Sequence, residues 1–364
     1  MNKIFKLLSI LTLAILFVNC EKDDDPSVAV RDFQTQYNSD IADIEKFLKT
    51  HTYSVVDNPG SANDQDVTFT EVPLGTPNVI WDSPLLDFRP VTKNGVDYKV
   101  YFLKLREGGG AEPTDLDYPT NVDAVLVSYV GNYLFHKMVT IGEGASATTI
   151  DSLKMREFES NSFPQSFFSL QSVIQGWGEV LPQFMAGDFE DVSGAPTVYT
   201  GFGAGVMFIP SGLAYYGAPP VAIPAYSPLI FNFKLLEINR LDHDGDGIPS
   251  YLEDITPDRY MRLMDVGVDN PDDSDGDDVP DFMDLDDDND GQITKFELRR
   301  EFADVVDPIS YYSFNGAAED DSSTPNIDET QGVPSCGTTP DYFSPGRLRR
   351  YLDPTCRYVD VDAQ

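Results

Sequence analysis

The sequence predicts an α+β protein in which an antiparallel sheet wraps around a short helix. Two observations favour this class. Segments between residues 96 and 240 alternate apolar and polar residues with the period of a strand, and one helical segment lies among them. A second helix is expected near the N-terminus and a loop-rich segment near the C-terminus. The 61 acidic and 25 basic residues give a net charge of -36, which argues against nucleic acid as a partner because phosphate binding needs clustered Lys and Arg.

The first residues have the pattern of an export signal. Lys3 and Lys6 flank the start of an apolar run from Leu7 to Val18, which suits a signal-peptide core and is too short to cross a bilayer. We therefore expect residues 1–19 to be a signal peptide. A cysteine directly after such a run resembles the lipobox of bacterial lipoproteins, which implies lipidation of Cys20 and a membrane anchor. The alternative is an ordinary secreted protein.

The position of Cys20 also predicts where the protein resides. The lipobox resemblance implies an outer membrane lipoprotein of a Gram-negative cell envelope, and it leaves open whether the chain is periplasmic or surface-exposed. The mainly acidic string Glu21–Asp25 resembles the surface-export tag of some of these lipoproteins. Outside the cytoplasm, the two remaining cysteines, Cys336 and Cys356, predict one disulfide in a tail with little apolar content.

Residues 20–95 are predicted to be a tether followed by a helical region. Residues 21–30 have the composition of a flexible tether, and Ser39 to His51 is expected to form a helix. Residues 57–80 are rich in Asn, Pro, Gly and Thr, which favours a loop or a weak strand. The apolar stripe of the helix is formed by Ile41, Ile44, Phe47 and Leu48.

The central part of the chain carries the strands of the predicted sheet. A short helix is expected within Ser172–Phe184, and long loops are expected at 135–157 and 188–205. The strands are expected at Val96–Leu103, Ala124–Val130, Val206–Ile209 and Leu229–Ile238. The chain then has five parts: the signal peptide 1–19, the tether and N-terminal helical region 20–95, a central domain 96–240, an acidic repeat segment 241–300 and a C-terminal tail 301–364.

Five strings in the central domain occur in the order found in FKBP-type peptidyl-prolyl cis–trans isomerases. They are VSYVGNYL (127–134), FES (158–160), FSLQSVIQGWGEVLPQFMAGD (168–188), IPSGLAYYG (209–217) and IPAYSPLIFNFKLLEI (223–238). The chain therefore resembles this family over most of the central domain. The resemblance implies catalysis of X–Pro bond rotation in exported proteins, with proline-containing polypeptides as partners and no cofactor for the reaction.

The resemblance also implies a role for each pocket residue. Trp177 would form the floor under the proline ring, and Ile223 would close one side. The backbone N–H of Ile174 and the hydroxyl of Tyr215 would donate hydrogen bonds to the bound peptide, and Glu159 stands where the family usually has Asp. Such a pocket suits the reaction, because rotation about an amide needs only a site that prefers the twisted form over the planar forms. The walls would be formed by Tyr129, Phe158, Val173, Ile174 and Phe231.

Several features depart from the family pattern and bear on substrate choice and activity. Glu159 is one methylene longer than Asp, and Tyr216 replaces a Gly. The family usually places a pocket aromatic near Ser166, where either Phe167 or Phe163 could substitute or the wall could be lower. The two long loops named above border the pocket in the family.

Three strings in the acidic segment have the spacing of calcium-binding loops, DHDGDGIPSYLE (242–253), DSDGDDVPDFMD (273–284) and DDDNDGQITKFE (286–297). Calcium takes about six to eight oxygen ligands, which carboxylates at positions 1, 3, 5 and 12 and a carbonyl at position 7 supply. Pro249 and Pro280 at position 8 make the first two loops resemble thrombospondin type 3 repeats, whereas the third resembles an EF-hand half. We expect structural calcium, bound through Asp242, Asp244, Asp246, Ile248, Glu253, Asp273, Asp275, Asp277, Val279, Asp284, Asp286, Asp288, Asp290, Gln292 and Glu297.

The sequence alone leaves three functions open. The first is an envelope-anchored peptidyl-prolyl isomerase, and the second is a non-catalytic FKBP-like peptide-binding or chaperone module on a calcium-stabilised surface lipoprotein. The third is a calcium-stiffened surface protein whose central domain is only a scaffold. The retained pocket aromatics favour the first, while Glu159 and the missing aromatic near Ser166 keep the second open. Nothing in the sequence indicates a dimer, so we expect a monomer.

Overall fold

A computed structural model describes residues 30–142, 147–191, 193–194, 196–299, 311–314, 332–342, 344 and 346–356. The chain divides into two compact units, Met1–Asp32 and Phe33–Gln364, and the second contains the strands and helices given next. The predicted signal peptide and the predicted lipidation at Cys20 lie outside the described residues. Within the described ranges, no helix combines the length and the apolar character that a bilayer crossing requires.

The described unit is mainly antiparallel sheet with few helices, as the sequence predicted. The helices are α1 Phe33–Thr50, α2 Gln175–Val180 and α3 Thr294–Glu297. The strands are β1 His51–Val55, β2 Val67–Glu71, β3 Leu86–Lys93, β4 Val96–Arg106, β5 Ala124–Ile141, β6 Thr148–Asn161, β7 Phe168–Ser169, β8 Asp188–Glu190, β9 Val198–Thr200, β10 Gly203–Ile209 and β11 Leu229–Asn239. The main sheet has the order β3-β4-β10-β11-β5-β6, and β7 pairs with β5.

Both faces of this sheet are covered, and strand β10 shows why. All seven residues of β10 are buried. Met207 and Ile209 belong to the core that contains α2, whereas Val206 and Phe208 belong to a second core that contains Phe47 of α1. Because successive side chains of a strand point to opposite faces, α2 and this part of α1 lie on opposite sides of the sheet. The arrangement is the predicted α+β class and is consistent with an FKBP-like fold.

Helix α1 begins at Phe33, six residues before the predicted start at Ser39. The earlier turns belong to the helix because Phe33 and Tyr37 extend its apolar stripe, and both pack against the core around α2. The Tyr37 hydroxyl also accepts a hydrogen bond from the backbone N–H of Lys99, at 3.0 Å. The prediction missed this turn because polar residues separate the two aromatic rings.

The predicted loop at 135–157 is wrong, since most of it is strand. Strands β5 and β6 continue as a hairpin whose pairing runs from Tyr129 and Asn161 out to Ile141 and Thr148. Near its tip, residues 136–141 are mostly exposed, so neither face carries the alternation that marks a half-buried strand. The segments 57–80 and 188–205 also contain strands, β2 in the first and β8 with β9 in the second.

Candidate functional site

Four rings form a compact group on the α2 face of the sheet, and we call Tyr129, Phe158, Trp177 and Phe231 the aromatic cluster. The ring centroid of Trp177 lies 4.8 Å from that of Phe231 and 5.5 Å from that of Tyr129. Phe158 meets Phe231 edge-on at 5.7 Å. Trp177 and Phe231 are 4% and 3% exposed, whereas Tyr129 and Phe158 are only partly buried. The group therefore has a buried floor and half-open sides.

Two glycines allow the rings to approach one another. A Cβ on Gly131 would lie 2.8 Å from Cζ of Phe158 and 2.8 Å from Cε1 of Phe231, so only glycine fits between these rings. A Cβ on Gly176 would lie 2.6 Å from two methyl carbons of Ile209, which lets α2 lie close against β10. The β5–β6 register shifts beside Gly131 and leaves Phe158 in a β-bulge, a device that re-aims a side chain.

The predicted rim residues surround this cluster. Val173, Ile174 and Tyr215 are partly buried and pack against the core that contains Trp177, while Ile223 is buried. Ile174 precedes the first residue of α2, and its N–H donates no hydrogen bond to any described residue. The Tyr215 hydroxyl likewise donates no hydrogen bond to any described residue. Two donors are therefore available beside the aromatic floor.

The carboxylate of Glu159 acts on the hydroxyls of Tyr129 and Tyr215. Burial, together with the neighbouring Glu159 carboxylate, raises the pKa of Tyr129 to about 12. Burial and then Glu159 also raise the pKa of Tyr215. Both hydroxyls therefore keep their protons at neutral pH and can act as donors.

A contact from α1 holds the turn that precedes Tyr215. The buried carboxylate of Asp40 accepts hydrogen bonds from the backbone N–H and the hydroxyl of Ser211, at 2.7 and 2.6 Å. Tyr216 adopts a left-handed backbone with φ of 51°, which is the conformation that favours glycine, and its ring stacks on Phe33 at 4.5 Å. Tyr216, which stands where the family has Gly, therefore keeps a glycine-like backbone conformation, and its ring adds a contact to α1.

Asp40 gives a pH-dependent prediction. Burial raises the pKa of its carboxyl to about 6, so the folded protein holds the proton more tightly than the unfolded chain does. The stabilisation from this group is fully present below about pH 4 and is lost as the pH rises through about 6. The free energy of unfolding falls by on the order of 2–3 kcal/mol over this range. We expect Asp40→Asn, measured by urea denaturation in calcium, to remove that loss. Asp57→Asn, at an exposed position, is the control, and a pH-independent difference between Asp40→Asn and wild type would contradict the prediction.

The aromatic expected near Ser166 is not supplied by Phe163 or Phe167. Their side chains are 73% and 40% exposed and line a cavity of about 780 Å³ that also contacts Leu126 and Leu236. Those two leucines point away from the α2 face of the sheet. Phe168 instead lies 5.7 Å from the Trp177 ring, and sequence reasoning gave it no role although it belongs to one of the family strings.

The acidic segment is attached to the helix that carries Trp177. The buried Glu179 carboxylate on α2 makes ion pairs with Arg89 on β3 and with Arg262, both at 2.9 Å. The Tyr260 hydroxyl donates to the backbone carbonyl of Glu179 at 3.0 Å. Residues that follow the first acidic loop therefore fix the position of α2.

In all three acidic loops, the carboxylates of positions 1, 3 and 5 lie together. One oxygen of each lies within 4.8 Å of the others, about the largest separation of two oxygens on one calcium ion. The three groups are Asp242, Asp244 and Asp246; Asp273, Asp275 and Asp277; and Asp286, Asp288 and Asp290. A fourth group joins Asp246 to Glu253 and Asp287, and among the described residues Asp284 and Glu297 belong to none of them.

The position 7 residues adopt the same local geometry in each loop. The N–H of Ile248 donates to Oδ1 of Asp246 at 2.7 Å, and the N–H of Val279 donates to Oδ1 of Asp277 at 2.9 Å. In the third loop, the N–H of Gln292 donates to Oδ1 of Asp290 at 2.7 Å. The three loops therefore repeat one turn.

The position 12 glutamates are buried and lack a hydrogen-bond partner among the described residues. Glu253 and Glu297 are 3% and 0% exposed, and within the described residues neither carboxylate accepts a hydrogen bond. Burial and neighbouring aspartates raise the pKa of Glu253 to about 11 and that of Glu297 to about 8. Buried carboxylates of this kind need a proton or a cation, and a hard divalent ion fits the all-oxygen donor set.

Described residues of the C-terminal tail pack on the first loop and on the residue that follows the third. Val333 and Tyr351 form one apolar cluster with Ile248 and Leu298. Cys336 and Cys356 form a disulfide that closes this part of the tail.

Comparison with known proteins gives one family model and several solved structures. The model described as BamM C-terminal matches residues 243–326. No curated protein matches. The solved structures include a peptidyl-prolyl cis–trans isomerase from Pseudomonas syringae pv. tomato, with 21% identity, a TM-score of 0.27, and coverage of 43% of this chain and 84% of that one.

Two further structures are similar at the same low level. FkpA from Escherichia coli has 23% identity and a TM-score of 0.26, with coverage of 41% of this chain and 51% of that one. The three FKBP domains of wheat FKBP73 have 16% identity and a TM-score of 0.23, with coverage of 38% of this chain and 46% of that one. This chain thus spans about half of these two relatives, and no functional conclusion follows from the three similarities.

Proposed function

We propose that the protein is a peptidyl-prolyl cis–trans isomerase that acts on exported polypeptides at the cell envelope. The observation that carries the proposal is the aromatic cluster, which combines a buried indole floor with half-open sides and two adjacent hydrogen-bond donors. The five family strings, in family order, support the same reading. The BamM C-terminal match supports an association with the outer membrane of a Gram-negative cell.

Rotation about the X–Pro bond requires little from the protein beyond this geometry. The barrier to rotation about an X–Pro bond is roughly 18–20 kcal/mol and comes from amide resonance. The pyrrolidine ring would pack on Trp177, and the N–H of Ile174 and the hydroxyl of Tyr215 would hold the peptide while the amide twists. A twisted amide has lost its resonance and tolerates the apolar walls better than the planar amide does. No nucleophile is needed, because no covalent bond breaks.

The test is the isomerisation rate of a short X–Pro peptide. We expect the combined variant Trp177→Ala and Tyr215→Phe to lose at least about 30-fold in kcat/KM, since a buried aromatic anchor is typically worth 2 kcal/mol or more. Because Trp177→Ala removes core packing, Tyr215→Phe is also measured alone. A wild-type rate no higher than that of the combined variant would defeat the proposal.

A second function is favoured by one observation. The Glu159 side chain is exposed beside Tyr129 and Tyr215, where it can contact a peptide without taking part in rotation. The pocket would then bind proline-containing peptides as a chaperone or receptor. Saturable binding of the X–Pro peptide, with no acceleration of its isomerisation, would establish this function in place of catalysis.

We also propose that the acidic segment binds structural calcium. The support is the grouping of three aspartates in each loop and the buried, unpartnered glutamates among the described residues. Calcium would neutralise part of a segment with 20 acidic and three basic residues between 242 and 297. Lipid anchoring at Cys20 and a monomeric state remain part of the proposal.

A further inference from the structure

In the first acidic loop, a carboxylate from outside the twelve residues of the loop lies close to two of its own. Building on the proposed calcium binding, we propose that Asp287 of the third loop ligates the ion of the first loop. Asp287 occupies position 2 of its own loop, and the spacing pattern assigns no ligand role to that position. In the fold, one oxygen of Asp287 lies within 4.8 Å of oxygens of Asp246 and Glu253.

Burial shows that this grouping is more than a patch of acidic surface. Asp287 is 1% exposed and Glu253 is 3% exposed. Both oxygens of each carboxylate are buried and accept no hydrogen bond from the described residues. Two neighbouring buried carboxylates that accept no hydrogen bond from the described residues are costly unless a cation lies between them. An oxygen-only donor set of this kind suits calcium.

The backbone holds Asp287 in this position. Its N–H donates to the hydroxyl of Thr294, at 3.3 Å, and Thr294 is fully buried. The next residue, Lys295, donates from Nζ to the carbonyl oxygen of Gly245 in the first loop, at 2.8 Å. The third loop is thus fixed against the first, and calcium in the first loop would tie the two loops together through Asp287.

Calcium titration of metal-free protein tests the assignment. With CaCl2 as the titrant in isothermal calorimetry, we expect Asp287→Asn to raise the Kd of one site at least about tenfold, since even residues behind a metal ligand are worth 10–100-fold. Asp269→Asn removes the same charge at an exposed position of the segment and should leave every site unchanged. Unchanged affinities in Asp287→Asn would overturn the inference and leave calcium binding intact. A wild-type protein that binds no calcium would overturn both.

A second pair of variants shows which loop Asp287 serves. In a Glu253→Gln background the first site is already impaired, so adding Asp287→Asn should have little further effect. In a Glu297→Gln background the effect of Asp287→Asn should persist in full. The reverse pattern would assign Asp287 to its own loop and overturn the inference. Thermal melting is a second measurement. Asp287→Asn should raise the Tm in EGTA and reduce the rise in Tm that calcium causes. A lower Tm both in EGTA and in calcium would indicate only a packing role for Asp287.

Discussion

Replacement of Gly131 by alanine is expected to reduce isomerase kcat/KM at least about tenfold, which corresponds to about 1.4 kcal/mol. The added Cβ would lie 2.8 Å from ring carbons of both Phe158 and Phe231, and real Cβ atoms do not approach so closely. Both rings would have to move, and both are expected to form walls of the proposed pocket. Overpacking of this kind also costs about 1–3 kcal/mol of stability. Peptide isomerisation and urea denaturation measure the two effects.

Gly178→Ala is the matched control for Gly131→Ala. Gly178 lies on α2, one residue after Trp177, and its added Cβ would have no neighbour closer than 3.7 Å. Alanine is favoured over glycine in a helix by about 0.8–1.0 kcal/mol, so this variant should be more stable and fully active. Equal activity of Gly131→Ala and Gly178→Ala, with both proteins folded, would show that the positions of Phe158 and Phe231 do not affect the reaction and would contradict the proposed pocket.

The aromatic cluster illustrates what the sequence could supply. Trp177 and Phe231 are predicted as pocket residues from two short family strings. The sheet brings the centroids of their rings to 4.8 Å, because alternate residues of β11 face α2. The local strings could not show that Asp40, on a helix outside the family resemblance, holds the turn at Ser211. That contact joins residues 171 positions apart, and no local pattern in the sequence records it.

The acidic loops show the same limit. Spacing within a loop predicted the groups at positions 1, 3 and 5, because those side chains converge through one local turn. Spacing could not find Asp287, because its neighbours Asp246 and Glu253 belong to another loop. Likewise, the hairpin of β5 and β6 escaped prediction because its exposed tip lacks an apolar face. In each case the missing information lies in contacts between segments.

Removal of calcium is expected to have the largest effect on stability. A site at one hundred times its Kd contributes about 2.7 kcal/mol, and the three proposed sites would all act on one segment. That segment is tied to α2 through Glu179, Arg262 and Tyr260, so its loosening should reach the main sheet. We expect EGTA to lower the Tm by several degrees and to expose residues 242–297 to proteolysis. Differential scanning calorimetry and limited digestion measure these changes.

Magnesium separates calcium binding from simple screening of the acidic surface. Magnesium carries the same charge, but it is smaller and gives up its water shell reluctantly, so it should restore much less of the lost Tm. Buried Glu253 and Glu297 cannot be reached by screening ions in the solvent, so only a proton or an ion inside the loops neutralises them. Equal recovery of the Tm with both ions, or no change in the Tm on adding EGTA, would therefore show that the loops are a charged surface without metal sites.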